Sequence, residues 1–290
     1  MSPDDTAPPL CAAPRADVAA PELVLPANAC DCHFHVFDAP SPQVMPRTYT
    51  APPAPLAQLK RVHATLGIGR SVVVQPSVYG TDNRTTLSAI ESTATMKAVV
   101  VVDNGVSIAE LRALSEAGAV GCRVNQLFQS NAAAGDLKTF ARTLAEVNWH
   151  LQMLTDVTAI DDLASLVRAL PVPLVFDHLG HMRAKQGVDH PGFQQLLRVL
   201  GDGQVWVKLS GPYRVSDGTT PDYADVEPLV DALVRTNPER LVWGSDWPHP
   251  HVPHAMPDDT QLVNLLSRWL PDAATRHRVL VDNPATLYGF

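Results

Sequence analysis

Short apolar, β-branched runs recur along the chain at CDCHFHVF (30–37), RSVVVQPS (70–77), KAVVVVD (97–103), VGCRVNQ (120–126), HLQMLT (150–155), PLVFDHLG (173–180), VWVKLSG (205–211) and RLVWGSD (240–246). Each is continuously hydrophobic rather than alternating, the pattern of a parallel strand buried on both faces. Between them lie stretches of helical length, among them LAQLKRVHATLG (56–67), SIAELRALSEAG (107–118), LKTFARTLAEVN (137–148) and AIDDLASLVRAL (159–170). Their Leu and Ala residues recur every three or four positions and make one apolar helix face. Gly67 and Gly118 stand where helix C-caps favour glycine.

Eight strand–helix units predict an α/β fold, a single-domain (β/α)8 TIM barrel over residues 27–290. An open doubly wound sheet is the alternative, but no GxGxxG follows the first strand to support its dinucleotide-binding form. Residues 1–26 are rich in Pro and Ala and predict a mobile N-terminal arm without a core of its own. The last stretch, PDAATRHRVLVDNPATLYGF, predicts a helix, a turn at DNP and a short closing helix.

Composition narrows the class. Of 290 residues, 46% are hydrophobic and 18% charged, which suffices for a large core. A net charge of -8 without a basic stripe argues against a nucleic-acid partner. No apolar run reaches membrane-spanning length. The N-terminus opens acidic and is broken by prolines, unlike a signal peptide, so a cytoplasmic location is expected. Cys11, Cys30, Cys32 and Cys122 form no CxxC pair and read as free thiols in a reducing compartment. No interface signal stands out, which leaves the oligomeric state open.

Candidate chemistry begins at His33 and His35. Side chains two apart on a strand point the same way. In the first strand of a barrel both would project into the lumen near the C-terminal mouth, where barrel active sites are built. One inward His is ordinarily a satisfied core residue. Here other polar residues stand at the same strand ends: Gln75 and Ser77, Arg123 and Asn125, Asp177, His178 and His181, Tyr213 and Arg214, Asp246 and His249. Each has a structural alternative, such as capping a turn or pairing with a carboxylate. As a ring they suit one of two chemistries. They can ligate a divalent metal that activates water, or an Asp can act as general base while imidazoles hold a carbonyl oxygen. Arg123 and Arg214 offer planar forks for carboxylates, so the expected substrate is a small anion with a hydrolysable carbonyl.

The stretches DCHFHVFD, RTYTAP, VVVQPSVYGTDNR, VGCRVN, VFDHLG, LVWGSDWPHP, MPDD and LVDNPATLY run from about residue 28 to the end. On these the sequence resembles the amidohydrolase superfamily, and more narrowly the 2-pyrone-4,6-dicarboxylate lactonase family and its 4-sulfomuconolactone-cleaving relatives. The resemblance implies a lactone hydrolase of aromatic-compound breakdown that needs no metal. Asp246 would activate water, and His33, His35 and His178 would bind and polarise the lactone carbonyl. Tyr49, Ser77, Arg123 and Arg214, with Gln129, would meet the substrate's acidic groups. Two departures stand out. Gln129 occupies the position of a second arginine in that family, and Leu154 that of a tyrosine. Metal-binding members place a His at the end of the fifth strand, where this chain has Leu154, Thr155 and Asp156. The alternatives are a metal-dependent hydrolase or decarboxylase with one divalent ion such as zinc, and a sugar-acid lactone hydrolase or isomerase. The tail RWLPDAATRHRVLVDNP resembles the galactarolactone isomerase branch, but retention of Asp246 favours hydrolysis, since isomerisation does not require activated water.

Overall fold

The computed structural model describes residues 7–38, 41–91, 93–128, 136–218, 220–252 and 254–290. Every apolar run forms a strand: β1 Cys30–Phe34, β2 Arg70–Val74, β3 Met96–Val100, β4 Ala119–Asn125, β5 His150–Leu154, β6 Leu174–Phe176, β7 Val205–Ser210 and β8 Leu241–Gly244. They pair in sequence order and all in parallel, with helices in the connections, as a (β/α)8 barrel requires. Helices Leu56–Leu66, Ile108–Glu116, Leu137–Ala145 and Leu163–Ala169 lie where the spacing predicts them. Near the C-terminus the DNP turn does not form. A π-helical stretch, Arg278–Asp282, runs directly into helix Asn283–Tyr288. Pro284 follows the π-helical stretch directly, where the regular α-helical hydrogen-bond pattern is already broken.

The barrel closes just past the end of β8. His35 N donates to Trp247 O at 2.7 Å, and Asp246 N donates to His33 O at 2.7 Å. Asp31 pins this seam. Its Oδ1 accepts from Ser245 N (2.9 Å) and His33 N (3.1 Å). Its Oδ2 accepts from Ser245 Oγ at 2.6 Å and meets His63 Nε2 of helix Leu56–Leu66 at 3.0 Å. A fully buried carboxylate is tolerated only when its lone pairs are satisfied in this way.

A bulge in β1 decides which way its histidines face. Asp31 is paired with Ser71 and Phe34 with Val73, so β1 carries one residue more than β2 over that interval. Cys30 and Cys32 pack inside the barrel with Val72, Val74, Val99, Val175, Trp206 and Val242. Strict alternation from Cys32 would turn His33 outward. The extra residue brings both Cys32 and His33 inside and leaves Phe34 in the outer layer between strands and helices. His33 and His35 therefore share a side, as their spacing predicts, and the bulge is what makes that side the lumen.

The arm expected over residues 1–26 is described from residue 7. Cys11 N donates to Thr50 O (2.8 Å), Thr260 Oγ1 to Ala19 O (2.7 Å) and Leu23 N to Asn264 Oδ1 (3.1 Å). This stretch takes its partners from Thr50 and from helix Asp259–Asn264 of the barrel. None of the four cysteines is in a disulfide. Among the described residues no helix is long and apolar enough to cross a membrane.

At the seam Gly244 faces His33, and a Cβ there would lie 2.6 Å from His33 Cβ and 2.7 Å from its backbone N. Neither atom can move without shifting β1. Gly244→Ala is expected to lower unfolding free energy by at least ~1–3 kcal/mol, the cost of overpacking a rigid site. Urea denaturation checks this, and unchanged stability would show the seam to be looser than described.

Candidate active site

β1, the turn after β6 and the turn after β8 bring His33, His35, His178 and Asp246 together. The ring of His33 lies 5.1 Å from that of His35 and 4.7 Å from that of His178. His178 and Asp246 both adopt left-handed backbone conformations, φ 49° and 63°. Such positions cost energy in non-glycine residues and recur where a site needs a side chain aimed sharply inward. All four side chains are buried.

The two oxygens of Asp246 do different things. Oδ2 accepts from Arg214 Nε at 2.6 Å and from Tyr213 Oη at 2.5 Å. Oδ1 has no hydrogen-bond partner and lies 3.7 Å from the Nε2 atoms of both His33 and His35. Burial opposes charge on this carboxyl, but Arg214 and the imidazoles more than offset it and hold Asp246 well below the usual carboxylate range. Burial also lowers His35 and His178 well below the usual imidazole range, so both are neutral near pH 7. Arg214 is then the lasting cation beside Asp246. A neutral His35 has a fixed tautomer. Its Nδ1 lies 2.7 Å from Val74 O, which only accepts, so Nδ1 carries the proton and Nε2 presents a lone pair toward Asp246 Oδ1.

A family model described as amidohydrolase matches residues 30–290. The chain belongs to the amidohydrolase family. It is 38% identical to a 4-sulfomuconolactone hydrolase of Rhizobium radiobacter, over 97% of this chain and 96% of that one. It is 35% identical to a 2-pyrone-4,6-dicarboxylate hydrolase of Comamonas testosteroni, over 92% of each. A crystal structure of a probable 2-pyrone-4,6-dicarboxylic acid hydrolase from Acinetobacter baumannii, with citric acid bound, superposes with a TM-score of 0.79. It is 27% identical over 91% of this chain and 100% of that one.

Within this amidohydrolase the remaining predicted residues fall into three groups. Ser77, Arg123 and Arg214 each lie close enough to Tyr49 to act on it. Burial pushes the Tyr49 phenol up to about 12, moderated by Ser77, Arg123 and Arg214, so it stays a neutral donor. His251 stacks on Tyr49 at 5.8 Å and Phe128 packs edge-on against both, which adds an aromatic wall. Each arginine is already anchored through Nε, Arg123 on Asp177 (3.0 Å) and Arg214 on Asp246. Arg214 Nη2 also donates to Pro250 O at 3.0 Å. Arg214 therefore sets the charge of Asp246 as well as facing the mouth. Gln129 lies outside the described residues. Gln75 and the Asn125 side-chain oxygen are committed to nearby backbone. Gln75 Nε2 holds the loop at Gly80 O and Asp82 O, and Asn125 Oδ1 caps Leu127 N and Phe128 N.

Tyr213 and His249 stand at strand ends as the sequence indicates, but their contacts, together with Asp259, Ser210, Lys208 and Gln152, escaped the sequence reading. Tyr213 Oη also meets His249 Nδ1 at 3.0 Å, and His249 Nε2 meets Asp259 Oδ1 at 3.1 Å, forming a buried line behind Asp246. Ser210 Oγ lies 2.9 Å from His178 Nδ1. Gly211, at φ 54°, gives the room this needs, since a Cβ there would lie 2.9 Å from His178 Nδ1. Lys208 and Gln152 are fully buried beneath the histidines. Both were visible as mid-strand polar residues in otherwise apolar runs, VWVKLS and HLQML.

Replacing Arg214 by Met removes the cation that keeps Asp246 ionised. With that cation gone the protonated form is relatively favoured, so Asp246 should titrate at higher pH. A carboxyl 13C NMR titration of Asp-labelled protein, with the signal assigned by its loss in Asp246→Asn, checks the direction. An unmoved or lowered midpoint would refute the pairing.

Proposed function

We propose that this chain is a hydrolase of anionic lactones that works by Asp246-activated water. The observation that carries the reading is the division of labour on Asp246. One oxygen is held by Arg214 and Tyr213, and the other is free and faces the imidazoles. A water donating one hydrogen to Asp246 Oδ1 and the other to the His35 Nε2 lone pair has its own lone pairs turned into the lumen. It attacks the lactone carbonyl carbon while its proton passes to Asp246. The oxygen left negative takes hydrogen bonds from imidazole N–H groups. Collapse breaks the ring C–O bond, and the proton on Asp246 goes to the leaving oxygen. Arg123, Arg214, Tyr49 and Ser77 hold the substrate's acidic groups. The names of the Rhizobium and Comamonas relatives support a sulfonate- or carboxylate-bearing lactone from aromatic-compound breakdown.

The donor set fits a metal ion poorly. His33, His35 and Asp246 present donor atoms within 4.8 Å of one another, as do His33, Asp177 and His178. Against this, Arg214 already holds Asp246, and the Lys208 ammonium lies 3.2 Å from His33 Nδ1 and 3.6 Å from Asp177 Oδ1. Two fixed cations on the donors of a third oppose its binding, and β5 ends in the apolar Leu154 rather than a ligand. No step of the reaction is assigned to a metal.

Two experiments test the reading. Hydrolysis of 2-pyrone-4,6-dicarboxylate, 4-carboxymethyl muconolactones with and without a sulfonate, and aldarolactones should reveal turnover of at least one, unchanged after chelation. Loss of turnover with the chelated metal, or formation of an isomer in place of a ring-opened acid, would overturn it. On the hydrolysed lactone, Asp246→Asn should lower kcat by ~10²-fold or more, the scale of a lost general base. Near-normal turnover in a folded Asp246→Asn variant would rule out this mechanism.

A further inference from the structure

Lys208 is a charged side chain with no exposed surface, placed on β7 inside the barrel. Burying an ammonium is costly, and such groups are retained only when every hydrogen finds an acceptor. Lys208 Nζ lies 2.9 Å from Cys32 O, 2.7 Å from Gln152 Oε1 and 3.2 Å from His33 Nδ1. Gln152 is oriented independently, because its Nε2 donates to Asp177 Oδ2 at 3.0 Å and leaves Oε1 for the lysine. Burial opposes the charge on Lys208, and Asp177 Oδ1 at 3.6 Å supports it. An ammonium with three hydrogens thus meets three acceptors, the third being the ring nitrogen of His33.

We propose that Lys208 is a positioning residue that donates to His33 Nδ1 and so fixes His33 as the tautomer with its proton on Nε2, aimed into the lumen. The competing donor–acceptor arrangement would have His33 Nδ1–H pointing at Asp177 Oδ1, 3.2 Å away. That contact lacks hydrogen-bond alignment, and Asp177 Oδ1 has no hydrogen-bond partner, whereas the lysine contact is aligned. The consequence is a difference between two imidazoles one residue apart. His35 carries its proton on Nδ1, bonded to Val74 O, and offers a lone pair to water. His33 carries its proton on Nε2 and donates to the carbonyl oxygen as it gains charge. A ring protonated at Nε2 has no lone pair there for a metal, so the same hydrogen bond withholds His33 as a lumenal ligand. This inference deepens the lactone-hydrolase reading and rests on it for the role given to the Nε2 proton.

The test is a 15N NMR measurement of tautomers on the full chain labelled with [15N]histidine, with His33 assigned by the signals lost in His33→Gln. His33 in the unaltered protein should show a protonated Nε2 and a bare Nδ1. The reverse, as would follow if the Lys208 amine were neutral and accepted from the ring, overturns the proposal. In Lys208→Met the His33 tautomer should reverse, and zinc affinity, measured by titration, should rise tenfold or more. An unchanged tautomer in that variant also overturns it. The spectrum of the unaltered protein decides the question even where Lys208→Met fails to fold. On the hydrolysed lactone Lys208→Met should lower kcat tenfold or more with KM little changed, and a change confined to KM counts against the role. The two readings fail separately. A reversed tautomer with chelator-insensitive turnover removes the role of Lys208 and leaves the lactonase. The stated tautomer with metal-dependent turnover does the opposite.

Discussion

The site depends on how the barrel closes. β8 ends at Gly244, and the next three residues, rather than the strand itself, complete the hydrogen bonding with β1. The two bonds of that seam, Asp246 N to His33 O and His35 N to Trp247 O, lie on the backbones of three of the four residues that meet in the lumen. Asp31 locks the seam from outside through Ser245 and the His33 amide. Closure and site assembly are therefore one event. A barrel that failed to close would lack the site, and anything that shifts the seam moves Asp246 relative to both imidazoles. That explains why a glycine stands opposite His33, where even one methyl group would press on its backbone.

Charge is balanced in two layers. At the mouth Asp246 is paired with Arg214, and deeper in the barrel Asp177 is paired with Arg123 and Lys208. These groups are almost entirely removed from solvent. Lone buried ions would neutralise or destabilise the fold, whereas hydrogen-bonded sets persist. With His35 and His178 held neutral by burial, the imidazoles are free to act as directional donors and acceptors rather than as charges. The direction is decided by what touches the second nitrogen: Val74 O, which only accepts, for His35, and the Lys208 ammonium, which only donates, for His33.

The architecture was legible because parallel barrel strands are apolar on both faces and mark themselves as continuous runs. The four lumenal residues were legible because chemistry-bearing side chains stood at the ends of those runs. The structure's bulge in β1 was not, since alternation alone gives the relation of His33 to His35 but not to Cys32. Tyr213 and His249 were singled out by position, yet their line to Asp259 depends on a loop path that spacing does not encode. Gln75 misled for the same reason. A polar residue at a strand end can serve the mouth or its own loop, and here it serves the loop. Lys208 and Gln152 were overlooked because they sit in mid-strand rather than at an end. Yet a lone lysine in VWVKLS is itself a signal, since a buried ammonium implies a designated set of acceptors.

Arg214 carries the last constraint. By pairing with Asp246 Oδ2 it keeps that carboxylate ionised over a wide pH range, but a carboxylate stabilised in this way is also a weaker base. The same guanidinium faces the mouth beside Tyr49, where an acidic substrate group would share its charge. Any anion that draws on Arg214 reduces the charge felt by Asp246 and so strengthens the base at the moment of binding. In the proposed reaction, affinity for an acidic lactone and reactivity toward its carbonyl would thereby be linked through one side chain. A neutral lactone of equal size would receive neither benefit, because nothing in it engages the arginine that restrains the base.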